Sequence, residues 1–417
     1  MASQVDTSVI RDALGKEDYL TVIREVRDAI TADPIAAISD PVINDWLGRR
    51  YRNIFLQEAI SDARTVKNSE MPFPLNMVDK RSVRQKLAQR MVKTIGADEV
   101  AAELPPPQLG SLGNTTIVFA PGLLTGLLPV LAFQSVWPRI QSRFGIRVIA
   151  VDSHPMASTE ANVKDLENAI ERGIGVKTDV EAGYVTADDN PIPPAGDVFL
   201  MGYSKGSPDI LTLLARRPDL APRIKGFAAW AGAVGGSYAA DDIYNQIKDL
   251  PEYDAVKTMS GNVGKLLLRM APIIQMQRVN RRLDEYDFKG ALKSLTTWYR
   301  GEFLEENQEL FMDLGVPMFY FSGATTIFEV PWFQVQGTFD LAKYDQENDM
   351  QLTQEQTRPP LPFAPHLAKF RANHWDLSYD TFPWYASMGS TKLKNPFARE
   401  PAVAAIILFM SEIGILD

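Results

Sequence analysis

Val198-Phe199-Leu200-Met201-Gly202-Tyr203-Ser204-Lys205-Gly206-Ser207-Pro208-Asp209-Ile210-Leu211 reads as a strand, a sharp turn and a helix. Val198 to Met201 form a short apolar run of buried-strand type, and Ile210, Leu211, Leu213 and Leu214 begin a helical repeat beyond the turn. Ser204 stands between them. A serine there needs a strained backbone that lifts its hydroxyl clear of the sheet, and glycines two before and two after let strand and helix approach without a Cβ clash. Pro208 falls in the first helical turn, where a missing N–H is harmless.

Outward from this turn, apolar strand-like runs cover residues 116–120, 147–151, 225–230, 316–321 and a short segment near 366–370. Helical patterns over 131–144 and 159–170 separate the earlier ones. Strand and helix in alternation predict an α/β fold with a mostly parallel, doubly wound sheet. Residues 1–103 form a helical extension, including a basic helix over 82–95 that is either a solvated amphipathic face or a surface for a membrane or partner. The proline-rich stretch 104–115 is a linker. Residues 116–237 and 315–417 then make up the core, and 238–314, helical again, are inserted between its strands.

The chain has 417 residues, 45% hydrophobic and 23% charged, the balance of a globular protein. Its net charge of −9 provides no basic field for nucleic acid, so none is expected as a partner. There is no cysteine, which removes disulfides, thiolate catalysis and zinc–thiolate sites. Residues 1–15 lack the apolar core of a signal peptide, and the apolar run 401–410 is too short to span a bilayer. A cytoplasmic protein with no integral membrane segment is the expectation. No metal-ligand cluster and no phosphate-binding glycine loop is seen, and no cofactor is expected.

Gly202-Tyr203-Ser204-Lys205-Gly206 resembles the GxSxG nucleophile elbow of the alpha/beta-hydrolase superfamily, in its lipase and esterase branches. The resemblance covers residues 115–417 as topology and implies that 238–314 is a helical cap over the site. It also implies Ser204 as nucleophile, with the backbone N–H groups of Leu123, in Pro121-Gly122-Leu123-Leu124, and of Lys205 as the oxyanion hole. Ala372-Asn373-His374-Trp375-Asp376 resembles the segment around the lipase histidine, which makes His374 the base. Asp349, in Asn348-Asp349-Met350, resembles an Asn-Asp-Gly turn and is the favoured acid, although methionine stands where the glycine is usual. Glu329, Asp340 and Asp242 are alternatives to it.

Tyr203 and His154 are candidate substrate contacts, and His366 is expected to be structural. Lys205 either attracts an anionic substrate group or leans outward to pair with Asp209 one turn on. Asp376 occupies the place of a lipase calcium ligand, but no second ligand is recognisable. The expected reaction is cleavage of a hydrophobic carboxylic ester or thioester, a small-molecule substrate, through an acyl-enzyme. Acyl transfer or cyclisation at the same site, and a non-catalytic binding scaffold on the same fold, remain alternatives. Trp298, Met270, Leu266 and Phe303 are candidates for lining an apolar pocket.

Overall fold

The computed structural model describes residues 5–70, 78–93, 95–176, 193–249 and 282–417. Pro72 and Pro74, where the helical pattern of the sequence breaks, most of the polar, proline-rich stretch 186–196, and Val263, Leu266, Leu267, Met270 and Ile273 of the expected helical insertion lie outside these.

The chain opens with short helices whose starts are written locally. Asp18, Asp33, Asp40 and Asp62 each accept a hydrogen bond from a first-turn N–H of the helices Tyr19–Ala32, Pro34–Ser39, Pro41–Ser61 and Ala63–Ser69. Pro34 and Pro41 sit at the first helical positions, where they lose no bond. The basic helix runs Val83–Met91 under a Ser82/Gln85 capping box.

Six strands follow: β1 (Thr116–Ala120), β2 (Arg147–Ala150), β3 (Val198–Tyr203), β4 (Ile224–Trp230), β5 (Met318–Gly323) and β6 (His366–Phe370). They form one sheet in the order β2-β1-β3-β4-β5-β6, with every neighbouring pair parallel. The chain steps one way from β1 to β2 and returns to the other side of β1 at β3. The carboxyl ends of β1 and β3 therefore flank the switch point, where open α/β sheets form their crevice.

Side-chain alternation builds two cores. Phe119, Phe199, Met201, Trp230 and Phe321 point to one face and pack with the helices Pro41–Ser61, Val136–Phe144 and Arg399–Glu412. Val118, Leu200, Phe227 and Met318 point to the other, under the helices Thr159–Arg172, Gly206–Arg216 and Thr297–Asp313. The N-terminal helices thus share a core with the sheet. Arg50, buried, donates to both carboxylate oxygens of Glu412 at 2.6 and 2.5 Å and to the Pro105 carbonyl at 2.8 Å, so the first region, the linker and the last helix meet at one guanidinium. At the outer edge of β6, Val92 bridges to Phe370 in antiparallel fashion, covering a strand edge that would otherwise be open. No helix among the described residues is long and apolar enough to cross a membrane.

Candidate active site

Ser204 directly follows β3 with φ 53°, in the left-handed region that a serine adopts only under constraint. The constraint is a close crossing. A Cβ on Gly206 would come within 2.0 Å of the Ala120 carbonyl, and one on Gly202 within 2.7 Å of the Ser207 backbone. The elbow is held from the β4 side as well, because Ala233 N–H donates to the Ser204 carbonyl at 3.0 Å.

His374 follows β6 at the same end of the sheet. Its Nδ1 lies 2.7 Å from Asp349 Oδ2, and both side chains are about 1% exposed. The other carboxylate oxygen accepts from the backbone N–H groups of Gln351 at 3.0 Å and Leu352 at 2.7 Å. Asp349 is therefore fixed as an acceptor that orients the imidazole. The turn that presents it closes on Asn348 Oδ1, which accepts from Met350 N–H at 3.0 Å. Met350 adopts φ 89°, the conformation a glycine would take without strain. Tyr203 lies against the His374 ring and donates from its hydroxyl to the His374 carbonyl at 3.0 Å. Among the described residues His374 Nε2 has no hydrogen-bond partner.

Ser204, His374 and Tyr203 line one cavity of about 140 Å³. Leu123, Leu124, Leu128, Ile243, Leu292, Leu295, Leu341 and Leu352 supply its aliphatic wall. Leu123 is thus beside Ser204, while Lys205 follows the serine and starts the helix Gly206–Arg216. The Lys205 side chain does not lean outward: it is 1% exposed and donates to buried Asp209 at 2.6 Å. A larger cavity of about 720 Å³ lies away from Ser204, between the helix Val83–Met91, residues 95–104 and Arg371.

Several expected contacts fall elsewhere. His154 is buried outside the Ser204 cavity, with Nε2 3.3 Å from the Arg282 carbonyl and Nδ1 accepting from Met156 N–H at 3.2 Å. Burial and the Arg282 cation lower its pKa to about 4. Trp298 is half exposed and Phe303 packs beside Phe311 and Arg300, so neither lines that cavity; the inserted region contributes Ile243, Leu292 and Leu295 instead. His366 faces Ser322 Oγ at 2.9 Å and stacks on Tyr320. Asp340 pairs with Lys343, and Glu329 lies 3.9 Å from Arg90. Asp376 accepts from Phe397 N–H at 2.8 Å and faces Arg399, and no metal-holding group of acids and histidines occurs among the described residues. Sequence reading overlooked the Gln351 and Leu352 amides that hold Asp349, since backbone donors carry no side-chain signature.

No protein-family profile and no curated protein sequence matches the chain. Its structure is similar to the crystal structure of a metagenomic carboxyl esterase, with 19% sequence identity, a TM-score of 0.61, and 88% of this chain and 92% of that one covered. It also matches a Bacillus licheniformis lipase in mature form (16% identity, 62% and 84% covered, TM-score 0.39). A Staphylococcus hyicus lipase matches as well (11% identity, 72% and 96% covered, TM-score 0.43).

Proposed function

We propose that this chain, which has the alpha/beta-hydrolase fold, is a serine esterase that cleaves carboxylic esters with a small apolar acyl group. The observation that carries this reading is the shared cavity: a strained Ser204 and His374 line one largely apolar space, His374 Nε2 has no hydrogen-bond partner among the described residues, and a buried carboxylate holds the far nitrogen of that histidine.

In the proposed reaction Ser204 Oγ attacks the ester carbonyl as His374 Nε2 takes its proton, while Asp349 holds the ring and stabilises the imidazolium. The N–H groups of Leu123 and Lys205 donate hydrogen bonds to the developing oxyanion. Collapse expels the alcohol, which receives the proton from His374. Water, deprotonated by the same nitrogen, then releases the acid and restores Ser204. The carboxyl esterase of similar fold supports ester chemistry, and the leucine-rich wall supports an apolar acyl group.

Cavity volume supports a size. An apolar cavity of roughly 150 Å³ accommodates benzene, so a space of about 140 Å³ favours butanoyl and smaller acyl groups over long chains. The test is labelling with a serine-directed fluorophosphonate together with turnover of p-nitrophenyl esters of rising chain length. Labelling and turnover are expected in the wild type, with a short-chain optimum, and both are expected to vanish in Ser204→Ala. Labelling that survives the substitution would sink the assignment.

A further inference from the structure

We infer that Asn162 and Asp209 are positioning residues that hold the two oxyanion-hole amides at a fixed separation, through a buried chain of hydrogen bonds joining the Lys205 side of the site to the Leu123 side. This rests on the serine-esterase reading above. Neither residue lines the Ser204 cavity.

The connection runs through three side-chain hydrogen bonds and then along the backbone from His154 to Pro155. Lys205 Nζ donates to Asp209 Oδ1 at 2.6 Å, and Asn162 Nδ2 donates to Asp209 Oδ2 at 2.9 Å. Asn162 Oδ1 in turn accepts from the His154 N–H at 3.1 Å. One residue further on, the Pro155 carbonyl accepts from Leu124 N–H at 3.1 Å. Lys205 and Leu124 are therefore tied through the segment after β2 and the helix Thr159–Arg172. The side chains of Lys205, Asp209 and Asn162 are each at most 1% exposed.

Stability alone does not account for this arrangement. A cation at a helix N-terminus opposes the helix dipole, and a buried ion pair is often no more stabilising than apolar side chains of the same volume. Its geometry, by contrast, answers a catalytic demand. The amides that receive an oxyanion must be in place before charge develops, and a small displacement forfeits much of their effect. Leu123 stands on a turn and Lys205 at a helix start, so they belong to different elements, and the chain through Asn162 is a link between them.

The test is Asn162→Ala in the full chain, assayed on p-nitrophenyl butyrate and for inhibition by an apolar trifluoromethyl ketone, whose serine adduct carries the same oxyanion. Expected are a fall in kcat of roughly 10-fold or more, KM within about 2-fold, and a loss of ketone affinity that tracks kcat/KM, with the circular dichroism of the wild type. Asn162→Ser, which keeps a polar side chain too short to bridge Asp209 and His154 and leaves the Lys205–Asp209 pair intact, is expected to show the same split and serves if the first variant does not fold. Unchanged kcat and ketone affinity overturn the proposal, as does a fall in kcat with ketone affinity intact. A wild type with neither turnover nor Ser204 labelling removes the esterase reading and this proposal with it, whereas an active wild type beside an unaffected Asn162→Ala removes the proposal alone.

Discussion

Two buried cation–carboxylate pairs stand at opposite ends of this molecule's logic. Lys205 and Asp209 lie one helical turn apart beside the candidate nucleophile, whereas Arg50 and Glu412 are separated by 362 positions and clamp the N-terminal helices to the last one. Both are nearly inaccessible to water. Their surroundings differ: the first belongs to a polar chain that reaches the elbow, and the second sits in a helical layer, with the linker carbonyl of Pro105 as its third partner. The same chemistry thus serves alignment at the carboxyl end of the sheet and assembly beneath it. Changes at the first end should alter turnover more than stability, and changes in the second should do the reverse.

The largest expected effect lies at the site. Asp349→Asn should lower kcat about 10⁴-fold, since the amide favours the wrong imidazole tautomer, while the thermal midpoint stays near that of the wild type. Steady-state kinetics and a melting curve on the same preparation check this, and a large melting shift with little kinetic change would break the comparison. Next comes the clamp. Glu412→Gln leaves Arg50 buried without its counter-charge and should destabilise the fold by about 3–5 kcal/mol in urea unfolding, with kcat of the folded protein unchanged. The double change Arg50→Met, Glu412→Leu should recover most of that loss.

His366 sharpens the same contrast through pH. Burial first, and then the Lys369 and Arg52 cations, lower its pKa from 6.5 to about 4. Between those values the unfolded chain binds the proton that the folded one refuses. The stability that neutral His366 contributes is therefore fully present above pH 6.5 and is lost as pH falls toward 4. Relative to His366→Gln, the wild type should lose about 3 kcal/mol of stability from about pH 7 to about pH 4, measured by urea unfolding at each pH. The smallest effect on turnover belongs to Met350. Met350→Gly removes a left-handed strain of about 1 kcal/mol but also a buried side chain whose loss costs about 2–5 kcal/mol, so unfolding stability should fall by about 1–4 kcal/mol. Turnover should persist, because the Asn348 side-chain bond that closes the turn runs to the backbone N–H.

Much of this was legible before any fold was known, and for local reasons. The aspartate caps and first-position prolines act within one turn, so the starts of the helices Pro34–Ser39 and Pro41–Ser61 can be read from adjacent residues. The elbow is local in its motif, since Gly202, Ser204 and Gly206 lie within five positions and the clash that demands Gly202 arises where β3 meets its own helix, whereas the clash that demands Gly206 is with β1. Alternation of strand and helix along the chain announced a sheet covered on both faces, which the two cores bear out.

What adjacent residues cannot contain is the meeting of distant segments. Which carboxylate would face His374 depended on where the loop after β5 returns, and the fold brings Asp349 to 2.7 Å while Asp340 remains on an exposed helix. The inward turn of Lys205, the burial of His154 away from the cavity and the pairing of Arg50 with Glu412 are decisions of the same kind. Propensity, capping and the strain of a sharp turn arise from dihedrals and neighbours along the chain, so the sequence alone determined the elements, their order and the serine's pedestal. Pairing across the molecule is decided by loop closure and by the desolvation of groups that meet only once the core has formed, and that the tertiary structure alone could decide.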